Sequence, residues 1–167
     1  DTPPMYAERL LTLIPEQYHK RIVVHDHFYL KEEFHLKGIH INHRNPDIPK
    51  NYKGHISRSC HSLEEVKGHK KNYDYVFLSP VFDSISKLNY NSTYSNTELQ
   101  KAHKAGVIDK KVIALGGIDT NNIKQVKKLG FGGAAILGAL WNKFDLCNTC
   151  DYCDLIEHFK KLKKLAD

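Results

Sequence analysis

One alternation constrains this chain more than any other feature. From residue 21 onward, short runs rich in β-branched residues trade places with stretches of helical periodicity. That is the pattern of consecutive βα units and hence of a parallel sheet. Six strands are expected, at 21–24, 38–41, 55–58, 75–78, 111–115 and 133–137. Helices are expected at 29–34, 62–70, 97–105, 121–129 and 154–165, while 45–53, which holds Pro46 and Pro49, reads as loop. The chain opens differently, with Thr2 as N-cap, Pro3 and Pro4 at the first helical positions and an apolar face of Met5, Leu10, Leu11 and Ile14. These predict a leading helix.

An eight-stranded (β/α)8 TIM barrel needs about 200 residues or more, and this chain has 167. Six units and a leading helix therefore fall two strands short. The reading adopted is a partial barrel, one domain over 1–167, with strands three to eight visible and the first two βα units missing; Asp1 is not an initiator methionine. A six-unit open sheet, intact in itself, is the competing architecture.

The 41% apolar and 26% charged content supports one globular core. The net charge of +6 is spread thinly, apart from Lys160, Lys161, Lys163 and Lys164 near the end. Those lysines read as the solvated face of a terminal helix, where cations suit the dipole, and not as a nucleic-acid patch. A basic balance also suits phosphorylated ligands. With no apolar run of about 20 residues and no basic-then-apolar leader, neither a membrane nor secretion is expected, and the chain reads as cytoplasmic. Cys147, Cys150 and Cys153 cluster instead of spacing out as a disulfide framework, so reduced thiols are expected. With His158 their spacing approaches a zinc or iron–sulfur pattern but leaves it incomplete. Residues 25 to 27 (His25, Asp26, His27) do not read as a metal trio, because alternate residues of a strand face opposite ways.

Two segments point to an anion. Val112 to Asp119 is a buried strand that ends in Gly116 and Gly117 and opens onto a helix, with Asp119 or Thr120 as cap. Gly132 to Gly138 is a second strand ending in a small residue, with Leu137 beside Gly138. Glycines let a ligand approach backbone N–H groups, and a helix N-terminus adds its positive end. Loops after the seventh and eighth strands are the usual phosphate site of such barrels.

Residues 74–87, Asp-Tyr-Val-Phe-Leu-Ser-Pro-Val-Phe-Asp-Ser-Ile-Ser-Lys, resemble the strand-six motif of the thiamine phosphate synthase and TenI family, in which Gly-Pro-Val-Phe precedes Thr-x-Thr-Lys. Ser84, Ser86 and Lys87 match its two threonines and its lysine, while Ser79 replaces its glycine. Gly38-Ile-His-Ile41, Ala114-Leu-Gly-Gly-Ile118 and Ser57 to Glu65 resemble further motifs in the same order, from about residue 21 to the end. The resemblance implies a site at the C-terminal mouth of a barrel, binding a phosphorylated thiazole and, in the synthase, a pyrimidine pyrophosphate reached by Lys87 and Ser84. Whether the protein is a homo-oligomer stays open.

The family's two branches do different chemistry. The synthase joins thiazole phosphate to hydroxymethylpyrimidine pyrophosphate, and the charge developing on pyrophosphate calls for Mg2+ and cations. The resemblance takes its metal carboxylates from the pairs here occupied by His25-Asp26 and Arg44-Asn45, so Asp26 is kept and Asn45 is a weak substitute, with Asp83 as a compensating carboxylate. Residues 58–65, Arg-Ser-Cys-His-Ser-Leu-Glu-Glu, resemble the thiazole tautomerase TenI, which needs no cofactor and whose acid/base matches His61, with Ser59 contacting substrate. The residues favour the tautomerase, with the Mg2+-dependent synthase as the alternative and a non-catalytic ligand sensor third.

Overall fold

The computed structural model describes residues 3–83, 94–142 and 152–167. By its internal contacts the chain falls into two compact units, Asp1–Ser59 and Cys60–Asp167.

In the first unit, helix α1 (Pro4–Leu13) starts with proline at its first turn, where the missing N–H costs nothing. A 3-10 turn over Glu16–Arg21 leads to strand β1 (Val23–Val24), helix α2 (Leu30–Glu33), strand β2 (Gly38–Ile41) and strand β3 (His55–Cys60). β1 lies parallel to β2 with Val23 opposite Gly38, and β2 parallel to β3 with Gly38 opposite His55. Leu11, Leu30 and Leu36 form the buried centre, packed by Ala7, Ile22, Val24 and Phe34. Of the four apolar residues expected to face the core from α1, only Leu11 is buried; Met5 and Leu10 are exposed. Ala7 and Leu11, four apart and so on one stripe, make the packed face instead. Thr2 lies outside the described residues, as do Cys147 and Cys150.

The second unit carries helix α3 (Leu63–His69), strand β4 (Tyr75–Leu78), helix α4 (Asn96–Lys104), strand β5 (Val112–Leu115), helix α5 (Ile123–Lys128), strand β6 (Gly133–Ala135), helix α6 (Gly138–Trp141) and helix α7 (Cys153–Ala166). β4, β5 and β6 pair in parallel, with Leu78 opposite Ala114 and Leu115 opposite Ala135. Val76, Leu78, Val112 and Ala114 are fully buried under Leu99, Ile123 and Leu162 of the helices. Each such leucine or isoleucine contributes about 1.5–3 kcal/mol by leaving water. Ser62 caps α3 by accepting from the Glu65 N–H at 3.0 Å. Ser95 and Glu98 cap α4 reciprocally, each side chain accepting from the other's backbone N–H. Lys160, Lys161, Lys163 and Lys164 are exposed on α7, whose Leu162 is buried.

The sheet corrects the expected architecture. Among the described residues it has six strands, all parallel in the order β1-β2-β3-β4-β5-β6, where an eight-stranded (β/α)8 barrel was expected. The physical reason lies in the described residues before 22, whose prolines and charged residues supply α1 and a 3-10 turn, and no strand. Among the described residues, no helix is long and apolar enough to cross a membrane.

Candidate functional site

Parallel strands end on the same edge, so in each unit the residues that follow the strands gather there. In the first unit these are His25 and Asp26 after β1, Asn42 to Asn45 after β2, and Ser59 near the end of β3. Asn42 shapes the loop, its Oδ1 accepting from the N–H groups of Arg44 and Asn45 at 2.9 and 3.1 Å. That turn brings both side chains to Asp26: Asn45 Nδ2 donates to Oδ1 at 2.6 Å and Arg44 to Oδ2 at 3.1 Å. Asn45 Nδ2 also donates to the His25 carbonyl at 3.1 Å. A flipped amide would set oxygen against oxygen there, which fixes its orientation. Arg44 and Asp26 both stay solvent-accessible, so their ion pair adds at most about 1 kcal/mol of stability.

Beneath them lies a group that sequence reasoning passed over. His40 is fully buried, with Nδ1 2.8 Å from Ser57 Oγ and Nε2 2.8 Å from Ser59 Oγ. Its ring stacks on His25, centroids 4.2 Å apart and tilted by 21°. Burial pushes the His40 imidazole down to about 3, and the neighbouring His25 acts in the same direction. His25 is also lowered, chiefly because the stack takes its inner face out of water; Asp26 opposes this and Arg44 reinforces it. The signal was present in the register: His40 sits opposite Ser57, and Ser59, two residues on, shares that face.

In the second unit His61 follows β3, and its Nδ1 lies 3.0 Å from the Ser79 carbonyl. A carbonyl only accepts, so Nδ1 carries the hydrogen and a neutral ring keeps its lone pair at Nε2. The His61 N–H donates to Glu65 Oε2 at 3.0 Å, anchoring the turn into α3, and the side chain itself is exposed.

After β5, Gly117 takes φ +63°, and a Cβ there would lie 2.1 Å from the Asp83 carbonyl oxygen and 2.7 Å from the Phe82 carbonyl carbon. Only glycine lets the two loops approach that closely. Asp119 braces the turn before α5 by accepting from the N–H groups of Asn121 and Asn122, at 2.8 and 3.2 Å, but the N-cap of α5 is Asn122 and not the expected Asp119 or Thr120. Asn122 in return donates to the Gly117 carbonyl at 2.7 Å. The register of β5 with β6 puts Gly116 and Gly117 at the same sheet edge as Gly138, the first residue of α6. Leu137 and Trp141 flank Gly138 in sequence or along α6, and both are more than half exposed. Ser84, Ser86 and Lys87 lie outside the described residues.

No three His, Cys, Asp or Glu side chains converge on a metal position among the described residues. Asp26 has Asn45 on one oxygen and the cationic Arg44 on the other. As arranged, this set does not fit a divalent cation, which needs free oxygen donors and no adjoining positive charge.

Comparison with known proteins places these residues in a lineage. A thiamine phosphate pyrophosphorylase of solved structure from Bacteroides thetaiotaomicron is 61% identical, with a TM-score of 0.92 over 100% of this chain and 80% of that one. A second, from Pyrococcus furiosus, is 21% identical with a TM-score of 0.69 over 99% of this chain and 78% of the other, a likeness of fold. The thiamine-phosphate synthase of Actinobacillus succinogenes is 25% identical over 140 residues, 80% of this chain. This chain spans 63% of that relative's length, and 65% of the Limosilactobacillus reuteri synthase. The family model described as thiamine monophosphate synthase matches residues 6–140, and the chain belongs to that family.

Proposed function

We propose that the chain acts in thiamine phosphate synthesis, joining a hydroxyethylthiazole phosphate to hydroxymethylpyrimidine pyrophosphate with release of pyrophosphate. The observation that carries this reading is the 61% identity to a protein named thiamine phosphate pyrophosphorylase. Relatives named thiamine-phosphate synthase agree with it. They weigh against the tautomerase that residues 58–65 favour in the sequence.

In the reaction the bond from pyrimidine carbon to pyrophosphate oxygen breaks, and the leaving group takes the electron pair. Positive charge held near that oxygen lowers the barrier. The chain's own cations for this role are Lys87, by its motif, and Arg44, held by Asp26 at 3.1 Å. The synthase reading brings Mg2+ with it as a cofactor, yet Asp26 is already occupied by Asn45 and Arg44, so the residue roles proposed for this chain are independent of it. On the thiazole side, the backbone N–H groups of Gly116, Gly117 and Gly138 are the donors proposed for its phosphate, with Leu137 against the ring. Ser59 and Ser84 are the proposed hydroxyl contacts, with Ser86 beside Lys87.

One observation supports a second reading, the tautomerase. The Ser79 carbonyl keeps the hydrogen of His61 on Nδ1 and leaves Nε2 as a base at an exposed position. Incubation with both synthase substrates, with Mg2+ and with a chelator, separates the readings. Thiamine phosphate in either arm supports the synthase. Its absence, together with aromatisation of a thiazole carboxylate phosphate by the same preparation, would replace the synthase with the tautomerase.

A further inference from the structure

His40 is an imidazole whose two nitrogens meet two serine hydroxyls, and the direction of those hydrogen bonds decides what Ser59 can do. The Ser57 hydroxyl lies 3.4 Å from the Ile39 carbonyl, a group that only accepts, and the structure has Ser57 donating to it. With its hydrogen committed there, Ser57 Oγ receives the hydrogen of His40 Nδ1 at 2.8 Å. A neutral ring then has one lone pair left, on Nε2, and the partner of Nε2 at 2.8 Å is the Ser59 hydroxyl. Ser59 must donate. Resting on the reading in which Ser59 touches substrate, we propose that His40 is a positioning residue that takes the Ser59 hydroxyl hydrogen and so offers Ser59 Oγ to the ligand solely as a hydrogen-bond acceptor.

The ligand group facing Ser59 is then an N–H or O–H and not an ionised phosphate oxygen, which could only accept. Two further observations favour a fixed relay over incidental packing. His40 is fully buried and Ser57 is too, so neither has water as a substitute partner, whereas Ser59 is part-exposed and can reach a ligand. The stacked His25 ring blocks one face of His40 against rotation. The low imidazole value noted above keeps the ring neutral at every pH at which an enzyme would work, which preserves the acceptor.

Two measurements test this. Selective 15N labelling of the histidines, with two-bond correlations to the ring protons, reads the tautomer directly. His40 is expected to show a protonated Nδ1 and a bare Nε2, with Ser59→Ala shifting the Nε2 resonance; a protonated Nε2 overturns the proposal. The second is a kinetic cycle with His40→Phe, Ser59→Ala and the double variant, for thiamine phosphate formation. Each single change should lower kcat/KM about 10-fold, the effect of one lost hydrogen bond, and the double no more than about 2-fold further. His40→Gln, whose amide oxygen can replace Nε2, should recover most of the loss at unchanged unfolding midpoint. Losses that multiply, or a glutamine variant no better than phenylalanine, describe a purely structural histidine and refute the relay. If wild type forms no thiamine phosphate, the synthase reading fails while the nitrogen resonances still decide the relay.

Discussion

Three glycines of the second unit separate backbone strain from steric overlap. Gly68 sits in α3 at ordinary dihedrals, and a Cβ there meets nothing within 4 Å. Gly106 ends the helix α4 turn at φ +70°, again with nothing within 4 Å. Gly117 combines φ +63° with a Cβ position 2.1 Å from the Asp83 oxygen. Changed to alanine, Gly68, the next-to-last residue of α3, should stabilise by at most about 0.5–1 kcal/mol, because a helical residue prefers alanine. Gly106→Ala should cost about 1–2 kcal/mol, the strain of an L-residue in the left-handed region. Gly117→Ala adds the displacement of a packed backbone, a further 1–3 kcal/mol or so, for a total of roughly 2–5 kcal/mol. Urea unfolding of the three variants measures the ladder, provided their denaturant slopes agree. Equal midpoints for Gly106→Ala and Gly117→Ala would show that the loops do not meet as described. Because the proposed phosphate donors flank this contact, Gly117→Ala should also weaken binding of the thiazole phosphate, whereas Gly106→Ala should not.

Calorimetry of Mg2+ with pyrophosphate should yield little heat, since Asp26 is occupied by Arg44 and Asn45; tight binding abolished by Asp26→Ala would refute that assignment. Ser95→Ala should cost about 1 kcal/mol by removing the capping box of α4. The Glu98 carboxyl is held below its ordinary value, first by the Ser95 N–H and then by its hydroxyl. A depressed carboxylate stabilises above its unfolded value, about 4.3, and loses that contribution as pH falls through the folded value. The gap between wild type and Ser95→Ala should therefore be full at neutral pH and shrink below about pH 4.3; a gap independent of pH would contradict it. If the tautomerase reading holds, His61→Asn should keep substrate affinity and lose about 100- to 10,000-fold in rate, followed by ultraviolet absorbance, and full activity would eliminate His61 as the base.

The strands could be read from the sequence because short apolar runs such as Tyr75–Leu78 and Val112–Leu115 have no other stable role between polar helices. Their ends were less legible. β1 shrinks to two residues before the chain turns at His27, φ +53°, and β6 stops at Ala135, where three small residues leave little to pack. The eight-strand expectation failed because a local alternation of strands and helices carries no strand count of its own. Asp26, Arg44 and Asn45 were legible as residue types, but not that the Asn45 amide turns its nitrogen toward the carboxylate, which depends on the His25 carbonyl beside it. His40 was passed over because one histidine in the apolar run Gly38–Ile41 reads as core, and only the strand register reveals the two serines opposite it.

Trp141 is the single tryptophan of the chain, and it closes the short helix that Gly138 begins. Its indole is half exposed, and its N–H backbone bond returns to Leu137, the residue just before that glycine. Intrinsic fluorescence excited at the indole edge therefore comes from one element alone, next to a proposed phosphate donor. Any ligand that orders or shields this turn should change the emission wavelength or its quenching by iodide, so titrations can be followed on the unmodified protein without a dye, a label or turnover.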